Sequence, residues 1–447
     1  MSLDKTTTCQ TAPAIAEQAL DHDTQQEQRV IRKVSGRLIW FLFILFVFSF
    51  LDRINIGFAG LTMAKSLNLT ATMFGFAATV FYITYVLCGI PSNIMLSRIG
   101  ARRWMAGIMV AWGFASTATM FAHDATSLYI LRALVGITEA GFLPGMLVYL
   151  TLWFPRVYRA RANALFMIAM PVTAALGSVV SGYLLEMDGI WQLAGWQWLF
   201  LVEGLPSAVL GVVVWFYLDD SPAKAKWLSP EEKRCLQNML DAEAHQPAQQ
   251  HSGVLHELLQ PTVLKFAFAY FCLVNTLSMV NIWVPQIVKS FNAGSSNVTI
   301  GILAAIPQLG TILLMLWWGA RSDRTQERRW HTVLPMLFAA AGWLLTAYAG
   351  DPVVRLAGIV MASAGSFTAM TIFWTTPDTT LSNKAKAVGI ALINATGNIG
   401  SALSSFVVGW LKDMSHSFTS GLLYAVAALL IGALVFLLIP LQKPARN

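Results

Sequence analysis

The sequence predicts an all-α membrane protein of twelve transmembrane helices, arranged as two pseudo-symmetric six-helix bundles. Three observations carry that prediction. First, the chain of 447 residues is 56% hydrophobic and only 12% charged, with a mean hydropathy of +0.59, where a soluble protein carries about 25% charged residues. Second, apolar stretches of roughly 20 residues, the length a bilayer requires, recur along the chain. Third, two basic segments echo each other half a chain apart. Asn93-Ile-Met-Leu-Ser-Arg98-Ile-Gly100-Ala-Arg102-Arg103 and Gly319-Ala-Arg-Ser-Asp323-Arg324-Thr-Gln-Glu-Arg328-Arg329 each link two apolar stretches, and Arg98 aligns with Arg324 and Arg103 with Arg329 at an offset of 226. Matching basic hairpins in both halves are the mark of a duplicated, two-bundle secondary transporter.

The expected spans lie near 38–60, 74–96, 104–122, 128–150, 163–185, 197–218, 264–288, 298–319, 332–350, 354–376, 387–410 and 419–440. They divide the chain into a polar N-terminal tail (1–36), a first bundle (37–218), a polar central loop (219–262), a second bundle (263–441) and a short C-terminal tail (442–447). Residues 1–36 lack a signal-peptide core, so the first apolar stretch stays as a span. In the central loop, Ser229-Pro230-Glu231-Glu232 reads as a helix start, with serine as cap and proline in the first turn. One or two short surface helices are expected there.

Lysine and arginine set the orientation. One side carries Arg29, Arg32, Lys33, Arg37, Arg98, Arg102, Arg103, Arg156, Arg159, Arg161, Arg321, Arg324, Arg328, Arg329, Lys384, Lys386, Lys443 and Arg446; the other has only Lys65, Lys289, Arg355 and Lys412. The positive-inside rule then puts both termini and the central loop in the cytoplasm, with a bacterial inner membrane as the expected location. The same distribution accounts for the net charge of +7 without a nucleic-acid partner. Two glycosylation-like triplets on the other side, Asn68-Leu-Thr70 and Asn297-Val-Thr299, are given no weight.

The four cysteines form no disulfide set, and no Cys/His spacing suggests a metal. All seven histidines lie in the tail, loops or span ends, against an intramembrane metal site or a histidine-based hydrolase. No Gly-x-x-x-x-Gly-Lys-Ser/Thr loop is present, so ATP does not drive the protein directly. No enzyme activity and no cofactor are expected, and a monomer is the expected unit.

Four charges fall inside predicted spans. Each costs about 2.5–3.5 kcal/mol at a helix centre and needs a partner or a water-filled cavity. Asp52 and Arg53 lie past the middle of span 1. Arg132 and Glu139 lie in span 4, seven residues apart and on one face. A buried salt bridge is a poor stabiliser, because desolvation can exceed the Coulomb gain, so these groups point to function. Protonating a carboxylate frees its arginine for an incoming substrate carboxylate, which is proton–anion symport in its simplest form. Asp52, Glu139 and Arg132 are therefore expected to couple the proton. Arg53 is expected to meet the substrate, while Arg132 holds Asp52 or Glu139 between cycles. Tyr82 and Tyr85, Asn275, Asn281, Trp283 and Gln286, Gln308, Trp374, and Asn394 with Asn398 supply candidate uncharged contacts. Glu203, early in span 6, reads as structural. Arg98, Arg103, Asp323 and Arg324 are expected to clamp helix ends on the cytoplasmic face in one transport state.

The chain resembles the major facilitator superfamily over essentially its whole length. The basic hairpins look like its loop signature, Gly-x-x-x-Asp-Arg/Lys-x-Gly-x-Arg/Lys-Arg/Lys. The second copy fits at Gly319, Asp323, Arg324, Arg328 and Arg329, with Gln326 for the later glycine. The first keeps Arg98, Gly100, Arg102 and Arg103, with Asn93 and Ser97 in place of glycine and aspartate. That departure, with Pro91-Ser-Asn93 before it, is similar to the anion:cation symporter family. So are Phe50-Leu-Asp52-Arg53-Ile-Asn55-Ile-Gly57-Phe58, Arg132-x-x-x-Gly136-x-x-Glu139-Ala-Gly141-Phe-x-Pro144-Gly145, and Trp153-Phe154-Pro155 with Arg159 and Arg161. The resemblance implies uptake of a small organic anion, such as a sugar acid, tartrate, phthalate or hydroxyphenylacetate, with protons. It implies Asp52 and Glu139 as proton carriers, Arg53 or Arg132 at the substrate carboxylate, and Tyr85, Trp374 and Asn394 lining the site. A facilitator or exporter of the same fold is the alternative. Sugar-acid members often place an amide in mid-span 5. Here Met167, Met170 and Pro171 stand there, which leaves room for an aromatic or deoxy acid.

Overall fold

The computed structural model describes residues 11–244 and 258–441, with the side chains of 11–24, 156, 157, 160–164, 243, 244, 383, 384 and 387 left aside. Arg156, Arg161 and Lys384 as side chains, the His-rich part of the central loop, and the C-terminal Lys443 and Arg446 lie outside that description. Twelve helices in the described residues are long and apolar enough to cross a membrane: Gln25–Ser66, Ala71–Ile99, Ala101–Phe121, Ala125–Trp153, Leu165–Leu185 and Gly195–Tyr217 (spans 1 to 6), then Pro261–Phe291, Asn297–Thr325, Arg329–Tyr348, Pro352–Thr380, Val388–Ser415 and Thr419–Leu437 (spans 7 to 12). An even number of spans returns the chain to the side it started from. We call that side the terminal face and the opposite one the far face.

Span 1 reaches back well before residue 38, where its apolar run begins. Its early turns do not need lipid, because they pack on the start of the central loop. Val30, Ile31 and Val34 are buried together with Leu228 and Leu236. Lys33 Nζ meets Glu232 Oε2 at 2.7 Å, and Trp227 stacks on Trp153. The helix Pro230–Ala244 starts as its sequence indicates: the Glu232 amide donates to Ser229 Oγ, and the Ser229 amide donates to the Glu232 carboxylate. Burial disfavours the charge on Glu232, but Lys33 and the Ser229 contacts outweigh it and hold the carboxyl below the usual glutamate range.

Contacts between the halves gather toward the far face. Spans 2 and 11 touch where Gly75 lies against the Ser405 backbone, too close for a side chain. Thr79 Oγ1 donates to the Ala402 carbonyl at 2.7 Å. Spans 5 and 8 touch where Gly301 meets the Ser178 carbonyl.

At the far rim two carboxylates each cap a helix of the opposite half. Asp413, at the end of span 11, accepts from the Ala71 amide (3.0 Å), the Thr72 amide (2.7 Å) and Thr72 Oγ1 (2.6 Å) at the start of span 2. Glu186, just past span 5, accepts from the Asn297 amide at the start of span 8 (2.7 Å). Both helices have their own N-caps, Thr70 and Ser296, 226 residues apart. The latches thus repeat with the duplication. Anionic groups at helix N-termini are favourable because the unpaired amides and the helix dipole both point at them.

Neutralising both latches should open the far face. In the double variant Asp413→Asn, Glu186→Gln, spin labels at the exposed far-face positions 65 and 415 should show a longer-distance population by electron–electron resonance. An unchanged distance distribution would show that the latches do not hold the closure.

Candidate functional site

Below the closed seam, toward the terminal face, the buried charges of the first half come together. Consecutive residues on a helix point about 100° apart, so Asp52 and Arg53 face different neighbours. Arg53 turns to span 4. Its Nη2 and Nε donate to Glu139 Oε1 at 2.5 and 3.2 Å, and Ser49 Oγ lies 3.3 Å from the same oxygen. Glu139 Oε2 is enclosed and has no partner. Glu139 is fully buried, whereas the Arg53 side chain is 19% exposed.

Span 4 consists of two helices, Ala125–Glu139 and Phe142–Trp153, so Glu139 ends the first of them. One turn before, Gly136 lets the helix approach Phe81 and Thr84 of span 2. That approach places the Phe81 ring 4.9 Å from the Arg132 guanidinium and 5.8 Å from that of Arg53. Tyr85 lies 4.9 Å from Arg53. Each contact has the geometry of a cation–π interaction.

Two expected pairings need correction. Arg132 does not hold Asp52 or Glu139 in this state. Its Nε and Nη1 are buried without a hydrogen bond, and the only guanidinium bonded to Glu139 is that of Arg53. Nor does Asp52 face an arginine. It is fully buried and accepts from Trp112 Nε1 (2.9 Å), Ser116 Oγ (2.8 Å) and Ser207 Oγ (2.5 Å), which ties span 1 to spans 3 and 6. The two carboxylates and two guanidiniums that balance on paper form one ion pair, not two.

Across from Arg53, span 11 carries Asn394, Asn398, Ser401 and Ser405 along one stripe. The far part of the stripe packs on span 2, where Ser405 lies against Gly75. The terminal part is unpacked: Asn394 is exposed, and Asn398 Nδ2 donates to the Asn394 carbonyl at 2.9 Å. Trp374, half-buried, donates through Nε1 to Tyr270 Oη at 3.1 Å. Other expected contacts serve packing. Asn275 donates to Tyr424 Oη at 2.7 Å and ties span 7 to span 12, and Trp283 is buried edge-on against Phe74. Asn281 and Gln308 line a narrow cavity between the halves with Ile54, Phe58 and Ser178. Met167 and Met170 are partly buried.

The loop residues do not bridge the halves here. Arg98, Arg103, Asp323 and Arg324 are exposed, and Asp323 pairs within its own loop with Arg328 at 2.8 Å. Arg329 donates to the Ile439 carbonyl (2.7 Å) and Arg102 to the Leu218 carbonyl (3.3 Å), each within its own half. A cleft closed at the far face and open at the terminal face is the state that leaves such a clamp undone. Gly100 has φ +94, and its counterpart in the second copy, Gln326, adopts φ +53. Gly319, by contrast, sits in open space inside the helix.

A family model described as the Major Facilitator Superfamily matches residues 42–405. The chain belongs to the Major Facilitator Superfamily. It is therefore an integral multi-pass membrane transporter for a small molecule and not an enzyme. It is 42% identical over 418 residues to a protein of Agrobacterium vitis provisionally named a tartrate transporter, covering 94% of this chain and 93% of that one. It is 34% identical over 410 residues to the quinolone resistance transporter of Acinetobacter baumannii, covering 92% and 94%. Among solved structures, the crystal structure of a D-xylose–proton symporter superposes with a TM-score of 0.73 at 15% identity, over 92% of this chain and 99% of that one. At that identity the likeness speaks for the fold alone.

The left-handed backbone at Gln326 yields a prediction. A non-glycine residue there costs about 1–2 kcal/mol, so Gln326→Gly should raise the unfolding temperature of the purified transporter by a few degrees. A fall would mean that the Gln326 side chain, which donates to the Asp323 carbonyl, outweighs the backbone strain.

Proposed function

We propose that this protein imports a small organic anion, most simply a monocarboxylate, together with protons by alternating access. It would sit in a bacterial inner membrane with both termini cytoplasmic, and the terminal-face opening would then be an inward-facing state. The observation that carries this reading is the Arg53–Glu139 ion pair. A partly accessible guanidinium is held by a fully buried carboxylate whose second oxygen is free. The name of the Agrobacterium relatives supports an organic acid as the substrate class, and we place the chain beside the anion:cation symporters on the motifs around Asp52 and Glu139.

In the proposed cycle a proton adds to Glu139 at Oε2 and weakens its hold on Arg53. Arg53 then takes the substrate carboxylate in a bidentate grip, which a guanidinium offers and an ammonium does not. Tyr85 flanks Arg53 on one side, and Trp374 and Asn394 contact the uncharged part of the acid from the second half. Arg132 lends a second positive charge from behind Phe81 without touching Glu139. Asp52 is the second proton acceptor: a change in its charge alters its grip on Trp112, Ser116 and Ser207, and so the packing of span 1. The loop residues Arg98, Gly100, Arg103, Gly319, Asp323 and Arg324 serve the conformational change. A dicarboxylate such as tartrate would fit if Arg132 met its second carboxylate. The Acinetobacter relative's name favours a second reading, export by the same fold.

Uptake into proteoliposomes separates these readings. With an inward proton gradient, wild-type protein should accumulate the acid above equilibrium. Glu139→Gln should lose accumulation while keeping at least part of the substrate counterflow. An acid that only equilibrates, with no response to the gradient, would point to a facilitator.

Recognition has its own test. Loss of a charge-assisted bond costs about 1.5–3 kcal/mol, so Arg53→Lys should weaken acid binding by roughly tenfold or more. If Arg53→Lys binds as wild type does and Arg132→Lys does not, the two arginines exchange roles.

A further inference from the structure

Behind the cleft, spans 1 and 6 face each other across two polar layers. Span 1 runs toward the far face and span 6 away from it, so Asp52 meets Ser207 and, one turn further out, Asn55 meets Glu203. Asp52 is saturated with donors: Trp112, Ser116 and Ser207 all give it a hydrogen bond. Glu203 is not. It is 2% exposed, accepts one bond from Ser181 Oγ at 2.7 Å through Oε1, and leaves Oε2 enclosed with no donor. The Asn55 side chain lies against the Glu203 carboxyl. Asn55 is fully buried, and neither of its amide atoms completes a hydrogen bond.

Few charged groups can answer Glu203. Span 1 brings Asp52, a like charge. Span 3 brings Ser116 and Thr117 against Gly204, the next residue, and its arginines, Arg102 and Arg103, lie at the opposite end of the helix. Span 5 brings Ser181. No cation lies within ion-pair distance of Glu203 or Asp52 among the described residues. A carboxylate in that setting loses its hydration and gains one neutral donor, with a second anion a turn away. Two carboxylates so placed do not both stay ionised.

We infer that Glu203 is a standing proton holder: its Oε2 keeps a hydrogen through the transport cycle and donates it to Asn55 Oδ1, while Asp52 is the member of the pair that carries the charge and exchanges a proton. One proton gives the free Oε2 and the unused Asn55 carbonyl a partner each and removes a like charge one turn from Asp52, while Asn55 Nδ2 stays unpaired. It also balances the core. With Glu203 neutral and Asp52 ionised, Asp52 and Glu139 offset Arg53 and Arg132, so one proton on Glu139 leaves room for one negative charge and a second proton on Asp52 for another. This last step rests on the proposed symport. The protonation of Glu203 does not, since it follows from the contacts alone. Glu203 is a positioning residue that fixes Asn55, and through it the turn of span 1 that carries Asp52 and Arg53.

The test uses the full-length transporter in liposomes. The infrared spectrum of wild type minus that of Glu203→Gln should contain a protonated-carboxyl C=O band at every pH from roughly 5 to roughly 8. The glutamine presents the same neutral shape, so that variant should accumulate the acid within about twofold of wild type, with an unshifted pH dependence. Glu203→Ala leaves Asn55 and Ser181 without a partner and should lose accumulation roughly tenfold or more; should it fail to fold, the spectrum and the glutamine variant decide. Absence of the band, or a Glu203→Gln protein that is inactive or shifted in pH dependence, would overturn the inference. If wild type shows no proton-driven accumulation while the band behaves as described, the symport reading falls and the Glu203 assignment stands.

Discussion

The Arg53 guanidinium inside the bilayer is answered by one anion, Glu139. Much of the first half is arranged around the pair. The end of a helix puts Glu139 at the junction in span 4, Gly136 lets span 4 close on span 2, and Phe81 and Tyr85 screen the cations from each other and from lipid. One oxygen of Glu139 has no partner, so the proton added there in the proposed cycle displaces no other contact. Desolvation makes such a pair a poor source of stability. An arrangement that spends so many side chains on it is better explained by what happens when it opens.

The duplication supplies the motion that this chemistry needs. The halves meet as two bundles whose far-face contacts repeat with the sequence offset: a carboxylate past span 5 on the first turn of span 8, and a carboxylate ending span 11 on the first turn of span 2. The two latches differ in strength, since Asp413 accepts three bonds and Glu186 accepts one at its helix start. Both rely on amides that are free at any helix start, so they can release without leaving a buried donor stranded, provided water reaches the rim as it opens. Rigid halves with releasable rims are what rocking about a central site requires.

Much of this was legible in the chain. Composition and span length gave the membrane fold, and the echoing basic segments gave the duplication, because both depend on local sequence. The Ser229–Glu232 helix start was legible for the same reason. Partner choice was not. Arg132 and Glu139 share a face of span 4, which says nothing about which neighbouring helix arrives first, and Arg53 arrives from span 1. The rim latches were hidden because they join residues more than a hundred positions apart, although Thr70 belonged to a triplet that the sequence offered only as a glycosylation pattern. The missing loop glycine in the second copy was legible as a departure, and the backbone explains it: Gln326 keeps a positive φ but in the left-handed helical region (φ 53, ψ 18), whereas Gly100 sits at φ 94, ψ 151. Glu203 was read as structural from its place near a span end. Its enclosed, unpartnered oxygen appears only once spans 1, 3, 5 and 6 are packed together.

Charge balance then links the two polar regions of the first half. Asp52 and Arg53 are neighbours in sequence but look into different compartments, Asp52 toward neutral donors on spans 3 and 6 and Arg53 toward Glu139 and the cleft. A charge change on one side is felt on the other through a single turn of span 1. If Asp52 keeps its charge, that turn is held by three hydrogen bonds while Glu139 and Arg53 exchange partners. If Asp52 gains a proton, its acceptor capacity falls, and Trp112, Ser116 and Ser207 must find other partners or let span 1 shift. In the proposed cycle, proton occupancy behind the cleft is thereby converted into a position of Arg53 within it. That conversion needs no direct contact between Asp52 and substrate, which is why a carboxylate buried away from the cleft can still belong to its chemistry.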